Sequence, residues 1–333
     1  MSSLRDVLAG DRVLLYDGGF GTELFARGVD LPNSSLASEL HPDVVQQVTQ
    51  AYVEAGSDLV QTNTFVASPL HLAMAGRSAE DSAAIVDRAV RLARQAVDDA
   101  GRPVYVAGSL GPSPGAIEAD AGDTTFGIPD VQVREAHRLV SGRLASAGAD
   151  LLCIETMFSA TEAAIAVDEA RAFGLPIAVN LTLKYTRDRK SGATVYRTDW
   201  GHSCADLLDL LASGRYAANG DDLLPFVDVV GVNCGAEQRR AEHTGMPYAA
   251  EAIRQMQSAL AERGIAGKRL MAYPNAGMPR IVAGATHYDH PPELMASHAP
   301  EVVAAGASIV GGCCGTGPEH IRAIRAALAA APP

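Results

Sequence analysis

Residues 227–234 read VDVVGVNC, a short apolar run that ends in asparagine and cysteine. Seven more runs of this kind occur along the chain, each apolar in its first half and each ending in glycine, polar or cysteine residues. They are residues 12–19 (RVLLYDGG), 58–65 (DLVQTNTF), 104–111 (VYVAGSLG), 151–158 (LLCIETMF), 176–183 (PIAVNLTL), 269–276 (RLMAYPNA) and 308–315 (SIVGGCCG). Runs of this length and composition predict parallel strands that are buried on both faces.

Stretches with helical character lie between the apolar runs. The clearest covers residues 41–55, which begin with His-Pro and repeat apolar side chains at close to a 3.6-residue period. Many of the stretches end in Gly or Ala-Gly, a common stop signal for a helix. We predict helices at residues 41–55, 83–100, 131–147, 160–173, 203–212, 248–263, 300–305 and 319–330.

Eight strands that alternate with eight helices are typical of a (β/α)8 TIM barrel, an α/β fold. We therefore predict one barrel domain over residues 1–333. A doubly wound sheet is the alternative, but it would not usually need eight such units. The chemistry of a barrel lies at the carboxyl ends of its strands, so the residues that end the eight runs are candidates for a site.

The composition limits the class of protein. Of the 333 residues, 47% are hydrophobic and 20% are charged, which is ordinary for a globular enzyme and excludes a disordered or fibrous chain. The formal net charge of −12 disfavours binding to nucleic acid or to an anionic membrane. No apolar run reaches the roughly 18 residues of a membrane helix, and the N-terminus shows no signal peptide. We expect small-molecule partners, a cytoplasmic location and five reduced cysteines.

Three cysteines end two of the predicted strands. Cys234 ends the sixth strand, and Cys313 and Cys314 end the eighth, so a closed barrel can bring three thiols to one rim. Three thiolates with an open fourth position are typical of a zinc site that accepts a substrate. Adjacent side chains on a regular strand point to opposite faces, so Cys313 and Cys314 can share one ion only if the backbone leaves the β conformation. The glycines that flank the pair would permit this.

Other interpretations of the cysteines stay open. Cys313 and Cys314 could form a vicinal disulfide, although such a ring is strained and a cytoplasmic setting disfavours it. Cys153 and Cys204 are expected to be buried as small hydrophobic residues. The histidines form no His-x-His pair at a strand end, which weakens the alternative of a barrel metallohydrolase.

The strand-end motifs as a set resemble those of the homocysteine S-methyltransferase family. GVNC at 231–234 and GGCCGT at 311–316 resemble its paired zinc-cysteine motifs. Further matches, in chain order, are DGGFGTE at 17–23, TNTF at 62–65, GSLGP at 108–112, ET at 155–156 and YPNAG at 273–277. The resemblance extends over about residues 12–325, and YPNAG and GCCGT are most similar to the homocysteine module of cobalamin-dependent methionine synthase. The family also includes betaine-dependent and S-methylmethionine-dependent enzymes.

The resemblance implies a zinc-dependent transfer of a methyl group to homocysteine, giving methionine. Zinc would lie on Cys234, Cys313 and Cys314, with homocysteine sulfur as the fourth ligand. Coordination would remove the thiol proton, and the thiolate would then attack the methyl group of the donor. Asn233 and Asn275 are candidates for outer or exchangeable zinc ligands, with a loop-stabilising role as the alternative.

The resemblance also implies residues that bind the amino-acid end of homocysteine. Asp17 and Glu155 would hold its ammonium group, and the Gly18–Gly19 turn and Thr64 would lie near its carboxylate. The alternatives are a turn or helix-cap role for Asp17 and a buried ion pair for Glu155.

The methyl donor is left open by the sequence. A methyl group leaves readily only from an activated donor, which could be a sulfonium, a quaternary ammonium or a methyl-corrinoid. Aromatic side chains near the strand ends could present a face to an onium cation, or could be rim packing: Phe20, Phe65, Phe158, Tyr273 and Trp200. Few residues follow the eighth helix, so a corrinoid donor is expected on a separate protein. The basic loop 184–201, with a predicted hairpin tip at 190–192, could close over the donor, dock such a partner or be a solvated hairpin.

Three other functions remain as alternatives. One is the same chemistry on another thiol or a selenol, and a second is a different reaction such as zinc-assisted hydrolysis. The third is a zinc-binding partner without activity, which the presence of Asp17, Glu155 and the three cysteines disfavours. The oligomeric state is left open.

Overall fold

Eight parallel strands form the centre of the molecule. The computed structural model describes residues 3–122, 125–235, 240–282 and 285–330. In chain order, the barrel strands are Leu14–Leu15, Leu59–Gln61, Tyr105–Leu110, Leu151–Met157, Ile177–Leu181, Val229–Cys234, Arg269–Pro274 and Ile309–Val310. Each lies within one of the eight predicted runs, so the strand predictions are confirmed.

The strands are joined edge to edge in the order 1-8-7-6-5-4-3-2, and every pairing in this sheet is parallel. The first and second strands end this order, and the Asp58 amide bridges them by donating to the carbonyl of Leu15 at 2.7 Å. The sheet therefore curves into a nearly closed barrel. The predicted (β/α)8 fold is confirmed.

Alternating side chains divide the strands into two faces. Leu14, Leu59 and Ala107 belong to the apolar cluster inside the barrel, whereas Leu15 and Val60 belong to the cluster between the strands and the helices. A short helix, Leu4–Leu8, adds two leucines to the inner cluster. Burial on both faces explains why these strands are apolar without a polar alternation.

Eight helices surround the strands. They are Pro42–Ala55, Ala79–Asp98, Asp130–Ala147, Ala160–Ala170, Cys204–Ser213, Gly245–Glu262, Pro292–Ala304 and Pro318–Ala330. Seven predictions agree with these bounds to within a few residues. The prediction of 300–305 is wrong in extent, because Pro300 lies inside the seventh helix and does not begin it. The helix buries Met295, Ala299 and Val302, and this packing outweighs the backbone hydrogen bond that proline removes.

Short helices, 3-10 turns and two hairpins lie on the connections between the barrel strands and their helices. The short α-helices are Phe20–Ala26, Ala37–Leu40, Pro69–Met74 and Glu118–Ala121, and the 3-10 turns are Ser34–Leu36, Arg171–Phe173, Leu224–Phe226 and Ala241–His243. Two hairpins pair Lys184–Arg187 with Thr194–Arg197 and Pro279–Val282 with Ala285–Tyr288. The first confirms the predicted hairpin, and the second was not predicted. Within the described part of the chain, no helix has both the length and the hydropathy required to cross a bilayer.

Gly231 lies where the sixth strand closely approaches the seventh strand. A methyl group on Gly231 would overlap the carbonyl oxygen of Met271 and lie 2.5 Å from the Asn180 Oδ1 atom. We expect Gly231→Ala to lower the free energy of unfolding by about 1–3 kcal/mol, measured by urea denaturation. Gly10→Ala is the control, because its methyl group would meet only ordinary contact at 3.6 Å. Equal stability of the two variants would contradict this close approach.

Candidate metal and substrate site

Three thiols converge at the carboxyl end of the barrel. Cys234 is the last residue of the sixth strand, and Cys313 and Cys314 follow the eighth strand, which ends at Val310. Their sulfur atoms all lie within 4.8 Å of one another, a spacing at which they could hold a metal ion. All five cysteines are free thiols, and Cys153 and Cys204 are buried, as predicted.

The backbone leaves the β conformation where the adjacent cysteines require it to. Cys313 donates its amide to the carbonyl of Pro274 at 2.8 Å, and its own carbonyl accepts from the Thr316 amide at 3.1 Å. Gly315 has a φ of +79° in the resulting turn. This turn lets both thiols face one point.

Cys234 also has an unusual backbone. Its φ of +54° lies in the left-handed region, which costs an L-residue other than glycine roughly 1–2 kcal/mol. Strained backbone of this kind is concentrated at functional sites. The conformation ends the strand and turns the chain at the point where the thiol joins the cluster.

The three thiols influence one another's acidity. Hydrogen bonds from Cys234 and Cys313 hold the pKa of Cys314 well below its ordinary value. The same contacts and burial raise the pKa of Cys313. A thiolate in the cluster would be stabilised by the neighbouring thiols, and a soft cation would complement its charge.

Two asparagines hold the loops that carry the thiols. The Asn275 Oδ1 atom accepts a hydrogen bond from the backbone amide of Cys314 at 3.1 Å. The backbone amide of Asn275 donates to the Cys234 carbonyl at 2.9 Å. Asn233 is fully buried, and its Oδ1 and Nδ2 atoms bind the amide and hydroxyl of Thr156 at 2.8 and 2.7 Å. The Asn233 Nδ2 atom also lies 3.9 Å from the Cys313 sulfur. The contacts with backbone and with Thr156 match the loop-stabilising alternative, whereas the contact of Asn233 with the Cys313 sulfur matches an outer zinc ligand.

A cavity of about 410 Å³ opens beside the thiols. All three cysteines line it, together with Glu155 and Tyr273. The rest of its wall is Gly19, Phe20, Gly21, Thr22, Ser34, Gln61, Thr62, Asn63, Phe65, His71, Pro112, Ser113, Pro114, Thr156, Phe158 and Gly312. None of these described lining residues is a lysine or an arginine, so the acidic groups of the wall face no fixed positive charge across it.

Glu155 provides a buried carboxylate in this wall. Its Oε1 atom accepts from the Ser109 hydroxyl, and its Oε2 atom accepts from the Tyr273 hydroxyl at 3.2 Å. Burial raises the pKa of Glu155 to about 7, despite these two hydrogen bonds. A ligand cation placed against Glu155 would favour its charged form.

Asp17, which was predicted to contact the substrate, is not among the described residues that line the cavity and lies behind Gln61. It is fully buried, and its Oδ2 and Oδ1 atoms accept from the amide and the side-chain nitrogen of Gln61 at 2.7 and 3.2 Å. The Gln61 side chain also donates to the Gly18 carbonyl at 2.6 Å and lines the cavity. Burial raises the pKa of Asp17 well above its usual range.

Gly19 and Thr64 are also predicted to lie near the substrate. A methyl group on Gly19 would lie 2.5 Å from the Cys313 carbonyl oxygen, so the glycine permits the close approach of two loops. The Thr64 hydroxyl lies 2.7 Å from that of Thr62 and donates to the Ser109 carbonyl at 2.6 Å. Thr62 lines the cavity, and Thr64 holds the Thr62 side chain through this contact between the two hydroxyls.

Most of the predicted aromatic set reaches the cavity. Phe20, Phe65, Phe158 and Tyr273 line it, whereas Trp200 lies at a neighbouring pocket. Sequence reasoning missed Gln61 and His71. Gln61 precedes the TNTF motif by one residue and could have been found there, but His71, whose Nδ1 atom lies 2.8 Å from the Ser68 hydroxyl, carries no motif.

Comparison with known proteins agrees with this geometry. A family model described as homocysteine S-methyltransferase matches residues 14–328. The chain belongs to the homocysteine S-methyltransferase family. Methionine synthases of Mycobacterium tuberculosis and Mycobacterium leprae are each 28% identical to it over 98% of this chain but only 25% of their own length. The chain thus spans about a quarter of these curated relatives.

A solved structure from the family is similar over its whole length. The homocysteine methyltransferase MmuM from Escherichia coli, in its metallated form, shares 28% identity with this chain. The match covers 97% of this chain and 99% of MmuM, with a TM-score of 0.69.

The thiol cluster leads to a prediction about metal content. We expect about one thiolate-bound metal ion per chain, measured by elemental analysis of the purified protein. Cys234→Ala, Cys313→Ala and Cys314→Ala should each abolish it, because each removes one of three ligands. Cys204→Ala, a buried cysteine outside the cluster, should retain the metal at a modest cost in stability. Full metal content in the three cluster variants would exclude the site.

The burial of Glu155 predicts a dependence of stability on pH. Its pKa rises from an ordinary 4.5 to about 7 on folding, so the native state retains a proton that the unfolded state releases between these values. Stability should therefore fall as pH rises from about 4.5 to 7, by about 3 kcal/mol from this group. In Glu155→Gln, the free energy of unfolding measured by urea denaturation should decrease less between pH 5 and pH 8. The measurement is made without amino-acid ligands. The exposed Glu54→Gln should keep the parent decrease, and an unchanged decrease in Glu155→Gln would contradict the assignment.

Proposed function

We propose that this chain transfers a methyl group from an activated donor to the sulfur of homocysteine, giving methionine, with zinc as cofactor. The observation that carries the proposal is that three converging thiols and the buried carboxylate of Glu155 line one cavity. The family and the similarity to a metallated homocysteine methyltransferase support it. The reduced thiols that the proposal requires suit the cytoplasm.

The donor set fits zinc. The group that could hold an ion consists of three thiol sulfurs, Cys234, Cys313 and Cys314, and soft sulfur ligands select zinc over magnesium or calcium. Three protein ligands beside an open cavity also match a site that accepts a substrate ligand. When bound there, zinc would lower the pKa of a coordinated substrate thiol, which makes a thiolate nucleophile available at neutral pH.

Glu155 is the proposed contact for the ammonium group of homocysteine. Ser109 and Tyr273 each donate to one of its oxygens, which holds the carboxylate in place in the cavity wall. Asp17 adds a second buried carboxyl group behind Gln61, so it would act on the substrate through the Gln61 side chain. We retain the Gly18–Gly19 turn and Thr64, with Thr62, as the proposed surroundings of the substrate carboxylate.

The cavity favours a cationic donor. Phe20, Phe65 and Phe158 offer aromatic faces, and the described lining contains a carboxylate and thiols but neither lysine nor arginine. A sulfonium or a quaternary ammonium suits this wall. As the acceptor sulfur forms a bond to the methyl carbon, the bond from that carbon to the donor sulfonium or ammonium breaks, and the donor leaves as a neutral thioether or tertiary amine. The protein supplies alignment of the two reactants.

A donor screen with homocysteine tests the function. Zinc-loaded protein is incubated with S-methylmethionine, S-adenosylmethionine, betaine, dimethylsulfoniopropionate or methylcobalamin, and methionine is measured. We expect methionine with at least one onium donor. Activity with methylcobalamin alone would instead favour a corrinoid partner, and no methionine from any donor would contradict the proposal.

Glu155→Gln provides the matched variant for that screen. Loss of a buried charge partner costs about 3 kcal/mol or more, so kcat/KM for homocysteine should fall by about 100-fold or more. Metal content should be unchanged, since the three thiols are intact, and the exposed Glu54→Gln should behave as the parent. Normal kcat/KM for homocysteine in Glu155→Gln would exclude Glu155 as the ammonium contact.

A further inference from the structure

The fourth barrel strand contains a bulge at the point where it reaches the cavity. Between Ile154 and Met157 this strand takes three residue steps, whereas the fifth strand, its partner, takes two. A bulge of this kind re-aims a side chain, and bulges are over-represented next to active sites. Here the adjacent residues Glu155 and Thr156 both line the cavity, which the alternation of a regular strand would not allow.

The backbone of Thr156 is strained in this bulge. Its φ of +57° lies in the left-handed region, which is least favourable for a β-branched residue. Within the described part of the chain, Cys234, with a φ of +54°, is the other residue besides glycine in that region. Such conformations persist only when the surrounding structure holds them. One of the two strained residues lies beside Glu155, and the other belongs to the thiol cluster.

A single buried side chain connects these two residues. Asn233 directly precedes Cys234 and is fully buried. Its Oδ1 atom accepts from the Thr156 amide at 2.8 Å, and its Nδ2 atom donates to the Thr156 hydroxyl at 2.7 Å. The same Nδ2 atom lies 3.9 Å from the Cys313 sulfur. Asn233 therefore holds the bulge that carries Glu155 against the loops that carry the thiols.

We propose that Asn233 is a positioning residue that sets the distance between Glu155 and the thiol cluster, and thereby selects a thiol amino acid with the chain length of homocysteine. The proposal rests on the function proposed above and concerns recognition of the acceptor. The ammonium group at Glu155 and the sulfur at the thiol cluster belong to one ligand, so an acceptor gains both contacts only if its length matches this distance. Cysteine is one methylene shorter, so it would keep the sulfur contact and lose the ammonium contact.

Binding of homocysteine and of cysteine to the zinc-loaded protein tests this role, measured by calorimetric titration without a methyl donor. In Asn233→Ala we expect the Kd for homocysteine to rise about tenfold, as is typical when a contact that orients a site is lost. The Kd for cysteine should change much less, because cysteine does not depend on the distance that Asn233 sets. Asn219→Ala, which replaces an exposed asparagine outside the cavity, is the control.

A double-mutant cycle with Glu155→Gln separates positioning from general damage. Because Asn233 acts through Glu155, Asn233→Ala should weaken homocysteine binding by less than about twofold when Glu155 is already replaced. Zinc content should stay that of the parent, since the three thiols are intact. An equal loss in both backgrounds, an equal loss for both ligands, or a loss of zinc would overturn the positioning role and leave the proposed function intact.

Thr156→Gly is a milder change to the same contact. Glycine adopts a positive φ without strain, so the protein should fold, but the Asn233 Nδ2 atom loses its hydroxyl partner. The Kd for homocysteine should rise severalfold, and the Kd for cysteine should not change. Unchanged homocysteine binding in both Asn233→Ala and Thr156→Gly would overturn the positioning role. A parent protein that does not bind homocysteine would overturn this role and the proposed function together.

Discussion

The contact between the loop after the first strand and the loop after the eighth strand is what the rest of the site depends on. The Gly19 amide donates to the carbonyl and the hydroxyl of Thr316 at 2.9 and 3.0 Å, and the Tyr52 hydroxyl donates to the same carbonyl at 2.8 Å. Glycine is required because a methyl group on Gly19 would collide with the Cys313 carbonyl. This contact closes the rim and sets the turn that points Cys313 and Cys314 toward Cys234.

The rim collects carboxyl and thiol groups, with little positive charge to balance their ionised forms. Asp17 and Glu155 are buried, and burial raises the pKa of both carboxyls. The thiol cluster adds further acidic groups, while the described lining of the cavity lacks lysine and arginine. Such a site is stabilised by cations that bind the folded state, so a metal ion, a substrate ammonium and an onium donor would each complement it. One electrostatic property thus accounts for three proposed ligands.

Recognition of the two substrates is divided between different parts of the fold. The residues proposed for the acceptor lie at or just after strands and are held by networks such as that of Ser109, Glu155 and Tyr273. The phenylalanines proposed to face the donor lie on connections: Phe20 follows the first strand, Phe65 the second and Phe158 the fourth. Loops tolerate change more readily than strands, so a barrel with one acceptor site can accommodate different donors in related proteins.

The sequence alone determined the barrel, because eight buried strands each require an apolar run and each helix shows its own period and stop signal. It also singled out Cys234, Cys313 and Cys314, since a closed barrel brings the ends of the sixth and eighth strands to one rim. It did not show that Pro300 lies inside a helix, because that depends on packing against neighbouring helices. It also did not show that Asp17 lies behind Gln61, or that Asn233 binds Thr156. Those arrangements join residues far apart in the chain, and only closure of the barrel and the course of its loops decide the distances between them.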